Sequence, residues 1–365
     1  MSLLMSLRLF KPVFAVAAVM LATFSYTIAA TEAKPESAAA AATTPPPLPS
    51  TPPPVNPRLT VIARISDAAR QAMAASADPV ALVLTAKYVR DANMQDGEQR
   101  DDAEKANLQA AALAKAMQLA GNDERGFVGI QVSMFCLGFP AKALCSQTDP
   151  VLLTAEAMPD NAMGWMIMAG RDFSEGLNNA AQTYLQKAAK AKTSDWFYKI
   201  GAATALKFAK AVNEPLAKPG DTEAAAFEIM NSMTLPAFKR FSQMCNPDPK
   251  GKLPAGRYKL CRQVARLLID HSETHVERLT GHYALERLAL GEKKPAEAKR
   301  IAARIDAIQA AIQSLWKSLV FPPQNDADGE GLVAYFADFV QVGEVKATAS
   351  ALKKAGKNAD VFSAK

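Results

Sequence analysis

Six large apolar residues late in the chain, Ile301, Ile305, Ile308, Ile312, Leu315 and Leu319, recur at alternating intervals of four and three. That spacing lines one face of an α-helix, and such a face is stable only when another surface covers it. Residues 257–290 carry Leu260, Val264, Leu267, Leu285 and Ala289 on a common stripe, which predicts one long helix packed antiparallel against the first. Lys294-Pro295 opens the second helix of this pair and Pro322-Pro323 closes it.

The same pattern extends along the chain. Helices are expected over 61–75, 79–91, 102–120, 127–137 and 150–157, and from a cap at Ser194 to about Val212. Two more, over 223–232 and 236–244, are split at Thr234-Leu-Pro236, and a last one over 331–353 breaks near Gly343. Alanine is abundant and no alternating Val/Ile/Thr segment occurs, so the fold class is all-α, an irregular α-solenoid or helical bundle of antiparallel helix pairs.

Residues 1–57 are of another kind. Arg8 and Lys11 precede an apolar run from Val13 to Phe24 and the small residues up to Ala30, the order of a bacterial secretory leader cut near Ala29 or Ala30. An uncleaved inner-membrane anchor is the alternative, since the run is close to the ~20 residues that span a bilayer. Residues 31–57 are rich in Ala, Pro, Thr and Ser and include two proline triplets, a composition that cannot bury a core and reads as a disordered tether. The expected organisation is therefore a signal peptide at 1–30, this tether at 31–57, and a helical repeat-like region at 58–213. A helical hairpin region at 214–323 and a terminal helix with a polar tail at 324–365 complete it.

Export gives the four cysteines a meaning. In an oxidising compartment an even count predicts disulfides, and Cys136 with Cys145 and Cys245 with Cys261 are the local pairs, each closing a loop that contains Gly and Pro. Each bridge would add ~2 to 3 kcal/mol by restricting the unfolded chain. Buried free thiols are the competing use; the absence of C-x-x-C removes the usual signal for thiol-disulfide catalysis. The formal charge of +6 falls to about +4 once a leader holding Arg8 and Lys11 departs, which does not call for a nucleic-acid partner.

The segment Pro159-Asp-Asn-Ala-Met-Gly-Trp165 resembles the opening of a tetratricopeptide repeat over about 34 residues. At that family's spacing Met168 and Ala169 continue the first helix, Gly176 makes the turn, and Ala181, Leu185 and Ala188 take the small, large and small positions of the second. Asp172 and Thr193 depart from the pattern. The resemblance implies a helical hairpin packed around Trp165 and Leu185, and a role in recognising a peptide or another protein's helix.

Candidate chemistry is sparse. His271, His275 and His282 fall on one face if residues 257–290 form one helix, and two histidines four apart can hold a zinc ion. Ser272 stands where the zinc-protease motif has its carboxylate, and a packing seam or a pH-sensitive contact would use the same residues without a ligand. Ser314-Leu-Trp-Lys317 and Ser350-Ala-Leu-Lys353 match the short S-x-x-K pattern of serine enzymes that act on the cell wall, without its companion elements. Met163, Met166 and Met168 line either core or an adaptable groove. These observations lead to an exported, non-catalytic binding or scaffolding protein with a protein or peptide partner in the cell envelope, no cofactor and no membrane span after leader cleavage. An envelope hydrolase or a metal-dependent enzyme using His271 and His275 is the alternative.

Overall fold

Alanine-rich segments with few β-branched residues form helix at the least conformational cost, and the computed structural model is all-α. It describes residues 57–92, 102–140, 142–146, 149–231, 233, 238–248, 250–254, 256–319 and 326–362. The expected leader, nearly all of the tether, the split at Thr234-Leu-Pro236 and the stop at Pro322-Pro323 lie outside these residues.

The helices are α1 Pro57–Ala75, α2 Pro79–Ala92, α3 Asp102–Leu119, α4 Asn122–Gly138, α5 Ala143–Ser146, α6 Pro150–Ala157, α7 Ala162–Ser174 and α8 Asn178–Lys190. They continue as α9 Tyr198–Lys210, α10 Asp221–Met230, α11 Phe238–Met244, α12 Arg257–Asp270, α13 His275–Gly291, α14 Pro295–Leu319, α15 Asp326–Val342 and α16 Glu344–Lys354. No strand occurs among the described residues, only an isolated bridge between Asn161 and Thr193. The described residues all fall in one compact unit.

The centre of that unit is α9. Its covered positions are Gly201, Ala202, Ala205, Leu206 and Ala209, so little side-chain bulk holds its neighbours away. Helices α1, α2, α4, α10 and α15 all pack against it. Aromatic residues fill the space at its first turn: Trp196 stacks on Tyr198 at 4.8 Å, and Phe227 of α10 meets Phe336 edge-on at 4.8 Å and Trp316 at 5.5 Å. Helix α1 is locked onto α10 by a buried ion pair, Arg58 to Asp221, whose guanidinium also donates to the Pro219 carbonyl at 2.8 Å. Ser66 donates to Glu228 at 2.6 Å on the same interface.

Both local cysteine pairs stand at disulfide distance, with Cα separations of 5.4 Å for Cys136–Cys145 and 5.7 Å for Cys245–Cys261. The first closes the loop between α4 and the single turn α5. The second ties the end of α11 to the first turns of α12.

Two expectations need correction. The helix expected over 257–290 is two helices, interrupted at 271–274, because Thr274 caps α13 in a reciprocal box with Glu277. Arg278 reaches back across the break and donates to the Ile269 carbonyl at 3.1 Å and 3.0 Å, which supplies a partner to the end of α12. Helix α14, with its stripe from Ile305 to Leu319 buried, packs on α13 after a turn that places Lys293 at φ 60°. Ser194 is not a helix cap either; α9 starts four residues later, and Ser194 is buried against Glu277 at 3.4 Å. Gly343, at φ 86°, separates α15 from α16 close to where a break was expected.

Candidate functional site

Helix α4 carries Gly126 and Gly129 one turn apart, and both mark close approaches. A Cβ on Gly126 would lie 2.5 Å from the Phe197 ring and 2.9 Å from the Met158 sulfur; one on Gly129 would lie 2.5 Å from the Thr154 hydroxyl. With no side chain on this part of α4, Phe197 and α6 come close, and the space left between the end of α3, α4 and α6 is a groove of about 620 Å³. Met117, Val128, Leu153 and Ala157 make its walls apolar, Asp123 and Arg125 stand at its mouth, and Met158 and Phe197 line it. Leu153 is 52% exposed there. A second, mostly apolar chamber of about 270 Å³ shares Met158 and Phe197 and is bordered by Pro159, Asp160 and Asp195.

The backbone at Phe197 is strained. Its φ of 62° and ψ of 35° place a bulky aromatic residue in the left-handed region, which costs on the order of 1 kcal/mol. The Asp195 carboxylate holds it there by accepting the Phe197 N–H at 2.6 Å. Asn161 in turn fixes Asp195: its amide donates to the Asp195 carbonyl at 2.6 Å and accepts the Asp195 N–H at 3.1 Å. The same Asn161 oxygen caps α7 by accepting the Met163 N–H at 3.0 Å.

Behind this turn lies a cluster of carboxylates from three segments. Burial, with Glu273 nearby, pushes Asp195 up to about 6. Burial likewise raises Glu277 to about 8 and Glu344 to about 7, since a charged carboxylate out of water is costly. Thr274 donates its hydroxyl to Glu277 at 2.9 Å, the His275 N–H donates to Glu344 at 2.8 Å, and Lys199 pairs with Glu273. The Val345 N–H donates to the Glu273 carbonyl at 3.0 Å, which joins the start of α16 to the same cluster.

The candidate zinc ligands are separated by the helix break. His271 is exposed at the end of α12, whereas His275 opens α13, buried, with Nε2 on the Thr348 hydroxyl at 2.8 Å and its ring 5.2 Å from that of Phe362. Burial, then Arg278, drives His275 down to about 3, a neutral imidazole. His282 is half-buried on α13 and also lowered, to about 4, by burial and by Arg278 and Arg304. Among the described residues no group of three His, Cys, Asp or Glu is placed to hold a metal ion.

In the two S-x-x-K segments, the Ser314 carbonyl accepts from Lys357 at 3.1 Å, and the Ser350 hydroxyl donates to Asp338 at 2.9 Å beside Lys354. Neither serine is shown against its own motif lysine. The methionine question resolves to core, for Met163, Met166 and Met168 are all buried.

The hairpin residues do come together. Trp165, Ala181, Leu185 and Ala188 are buried between α7 and α8, and Gly176 turns the chain at φ 79°. The Trp165 indole N–H donates to the Pro159 carbonyl at 3.0 Å, its ring stacks on Tyr184 at 6.0 Å, and Lys187 sits 4.2 Å above it. Asp195, Phe197 and Glu277 are the site residues that sequence reasoning missed. Thr274-x-x-Glu277 is a capping-box signature and could have located the break; Phe197, a bulky residue at positive φ, leaves no signal in sequence.

No protein-family model, curated protein or solved structure matches the chain.

Proposed function

We propose that the chain is an exported, non-catalytic binding or scaffolding protein that holds a protein or peptide segment of the cell envelope in the groove beside α3, α4 and α6. The observation that carries this reading is the groove itself: an apolar channel about 620 Å³ in volume, open at an exposed Leu153, lined by an aromatic side chain whose strained backbone is held by Asp195 and Asn161. Backbone strain kept by several converging hydrogen bonds is characteristic of sites that must hold a shape. The side chains lining the two chambers are mostly apolar, with Asp123 and Arg125 at the mouth of the larger and Asp160 and Asp195 bordering the smaller, so what they offer is mainly shape and apolar contact.

Export is supported by the leader-like start, by the two cysteine pairs at disulfide distance, and by the absence among the described residues of any helix long and apolar enough to cross a membrane. The tetratricopeptide-like hairpin contributes the Pro159–Asn161 turn that borders the second chamber, which links the resemblance to the groove.

A photo-crosslinking residue at position 153 tests the reading in the full chain produced in its own envelope. A specific partner captured there, and not from the exposed Lys299 on α14, is the expected outcome. Equal capture from both positions, or capture from 299 alone, would remove the groove from the function.

A further inference from the structure

We propose that the Cys136–Cys145 bridge is a redox control on the groove: closed, it seats α6 as one of the groove walls, and when an external dithiol reduces it that wall loosens and the occupant is released. This rests on the groove being the binding face and names what regulates it.

The thin anchorage of α6 carries the inference. This helix has eight residues, too few to hold itself together in water, and the residues it buries are Pro150, Val151, Thr154 and Ala155. It lies between two helices that have glycine where they meet it. A Cβ on Gly129 of α4 would lie 2.5 Å from the Thr154 hydroxyl, and one on Gly164 of α7 would lie 2.8 Å from the Ala155 Cα. Contacts this close are kept only while α6 stays in register. That register is set at its N-terminal end, where Cys145, four residues before Asp149, is bonded to Cys136 in the last turn of α4. Asp149 caps α6 by accepting the Leu152 N–H at 3.1 Å, and it accepts two hydrogen bonds from Arg171 at 2.9 Å and 2.8 Å. With the bridge open these remain, but the ion pair is partly in solvent, and Ser133 reaches the Pro150 carbonyl only at 3.4 Å. Pro150 lines both the groove and the pocket on the bridge, so α6 joins the two directly.

The bridge is open to attack. Both of its residues line a surface pocket of about 330 Å³ with Leu137, Pro140 and Glu175, and Cys145 is half-buried where Cys136 is buried. A thiolate of the dithiol therefore reaches the Cys145 Sγ. A new S–S bond forms there, the Cys136–Cys145 bond breaks, and its electron pair leaves on the Cys136 Sγ, which takes up a proton. The second thiol of the reagent loses its proton and attacks its own sulfur in the mixed disulfide, and Cys145 leaves as a thiolate that is protonated in turn. The dithiol ends oxidised to a disulfide and the bridge ends reduced to two thiols. Cys245 and Cys261 are fully buried and closed to the same reagent, so the two bridges divide into a control and a staple. In an oxidising compartment the closed form is the resting one.

The test uses the full chain. Dithiothreitol is titrated until mass mapping finds Cys136 and Cys145 alkylated and Cys245–Cys261 intact, and amide hydrogen exchange is measured in that form and in the oxidised form. Cys136→Ser combined with Cys145→Ser opens the bridge by a second route that needs no reagent. Either route is expected to speed exchange over residues 150–157 by about tenfold or more and to leave α8, α13 and α14 within about twofold, with reoxidation restoring the slow rate. Unchanged exchange in α6, a rise spread equally over the molecule, or reduction of Cys245–Cys261 ahead of the first bridge would each overturn the proposal. Photo-crosslinking at position 153 separates it from the broader reading. Opening the bridge should cut capture there by about fivefold or more. Faster exchange in α6 with undiminished capture overturns the control and leaves the groove standing, whereas capture at 299 alone in the oxidised chain overturns the groove.

Discussion

Asn161 serves three hydrogen bonds with a single amide, capping α7 and clamping both backbone groups of Asp195. Replacing it with alanine removes the cap and leaves Asp195 unheld, so Asn161→Ala is expected to lower stability by about 2 kcal/mol in urea denaturation. Asn161→Asp keeps both acceptor roles but loses the donor, and should fall between the two. Gly126 makes the opposite kind of prediction. A methyl group there would meet the Phe197 ring at 2.5 Å, so Gly126→Ala must displace Phe197 or Met158. A cost of about 1 to 3 kcal/mol is expected, with weaker capture at position 153. A smaller loss of stability together with unchanged capture would show that Phe197 moves freely.

The break between α12 and α13 gathers the titratable groups, and its pH dependence follows from their directions. Glu277 and Glu344 have folded values of about 8 and 7, above the roughly 4.3 of an unfolded glutamate, so the folded state binds the extra protons. Their contribution is complete below the unfolded value and is lost as pH rises through 7 to 8, by at most about 1.4 kcal/mol per pH unit for each group. The histidines act in the other direction. His275 and His282 are lowered to about 3 and 4, so their contribution is present above 6.5 and lost as pH falls through the acid range. The melting temperature should therefore fall between pH 6.5 and 8, and Glu277→Gln should flatten that fall; a flat profile in the parent protein would contradict the burial of these carboxylates. The isoleucine stripe of α14 was legible because helical period is a local property of sequence. The break was not, because an apolar pattern runs on both sides of it, and only the Thr274–Glu277 box marks the stop. The groove was less legible still: its walls come from three helices and its floor from residues 158 and 197, and no local pattern records that they meet.

Across the whole molecule the two cysteine pairs differ in access. Cys245 and Cys261 are 1% and 0% exposed, whereas Cys145 is half-buried and lies with Cys136 on a surface pocket beside Arg171 and Asp149. Under mild reduction of the native protein, alkylation followed by mass mapping should find Cys136 and Cys145 labelled first. Removing the buried pair as Cys245→Ala with Cys261→Ala should cost about 3 kcal/mol. The export argument made the pairing legible from spacing alone, but this difference in access depends on tertiary packing. The central place of α9 has another consequence, for the order in which the molecule is completed. In a repeat array each unit rests on its neighbours and the fold can grow from one end. Here α9 is covered by α1 and by α15, more than a hundred residues further along. A chain emerging N-terminus first thus keeps its alanine-lined centre open until residue 342 has been made, and a nascent chain stopped at residue 320 should remain sensitive to protease within α9.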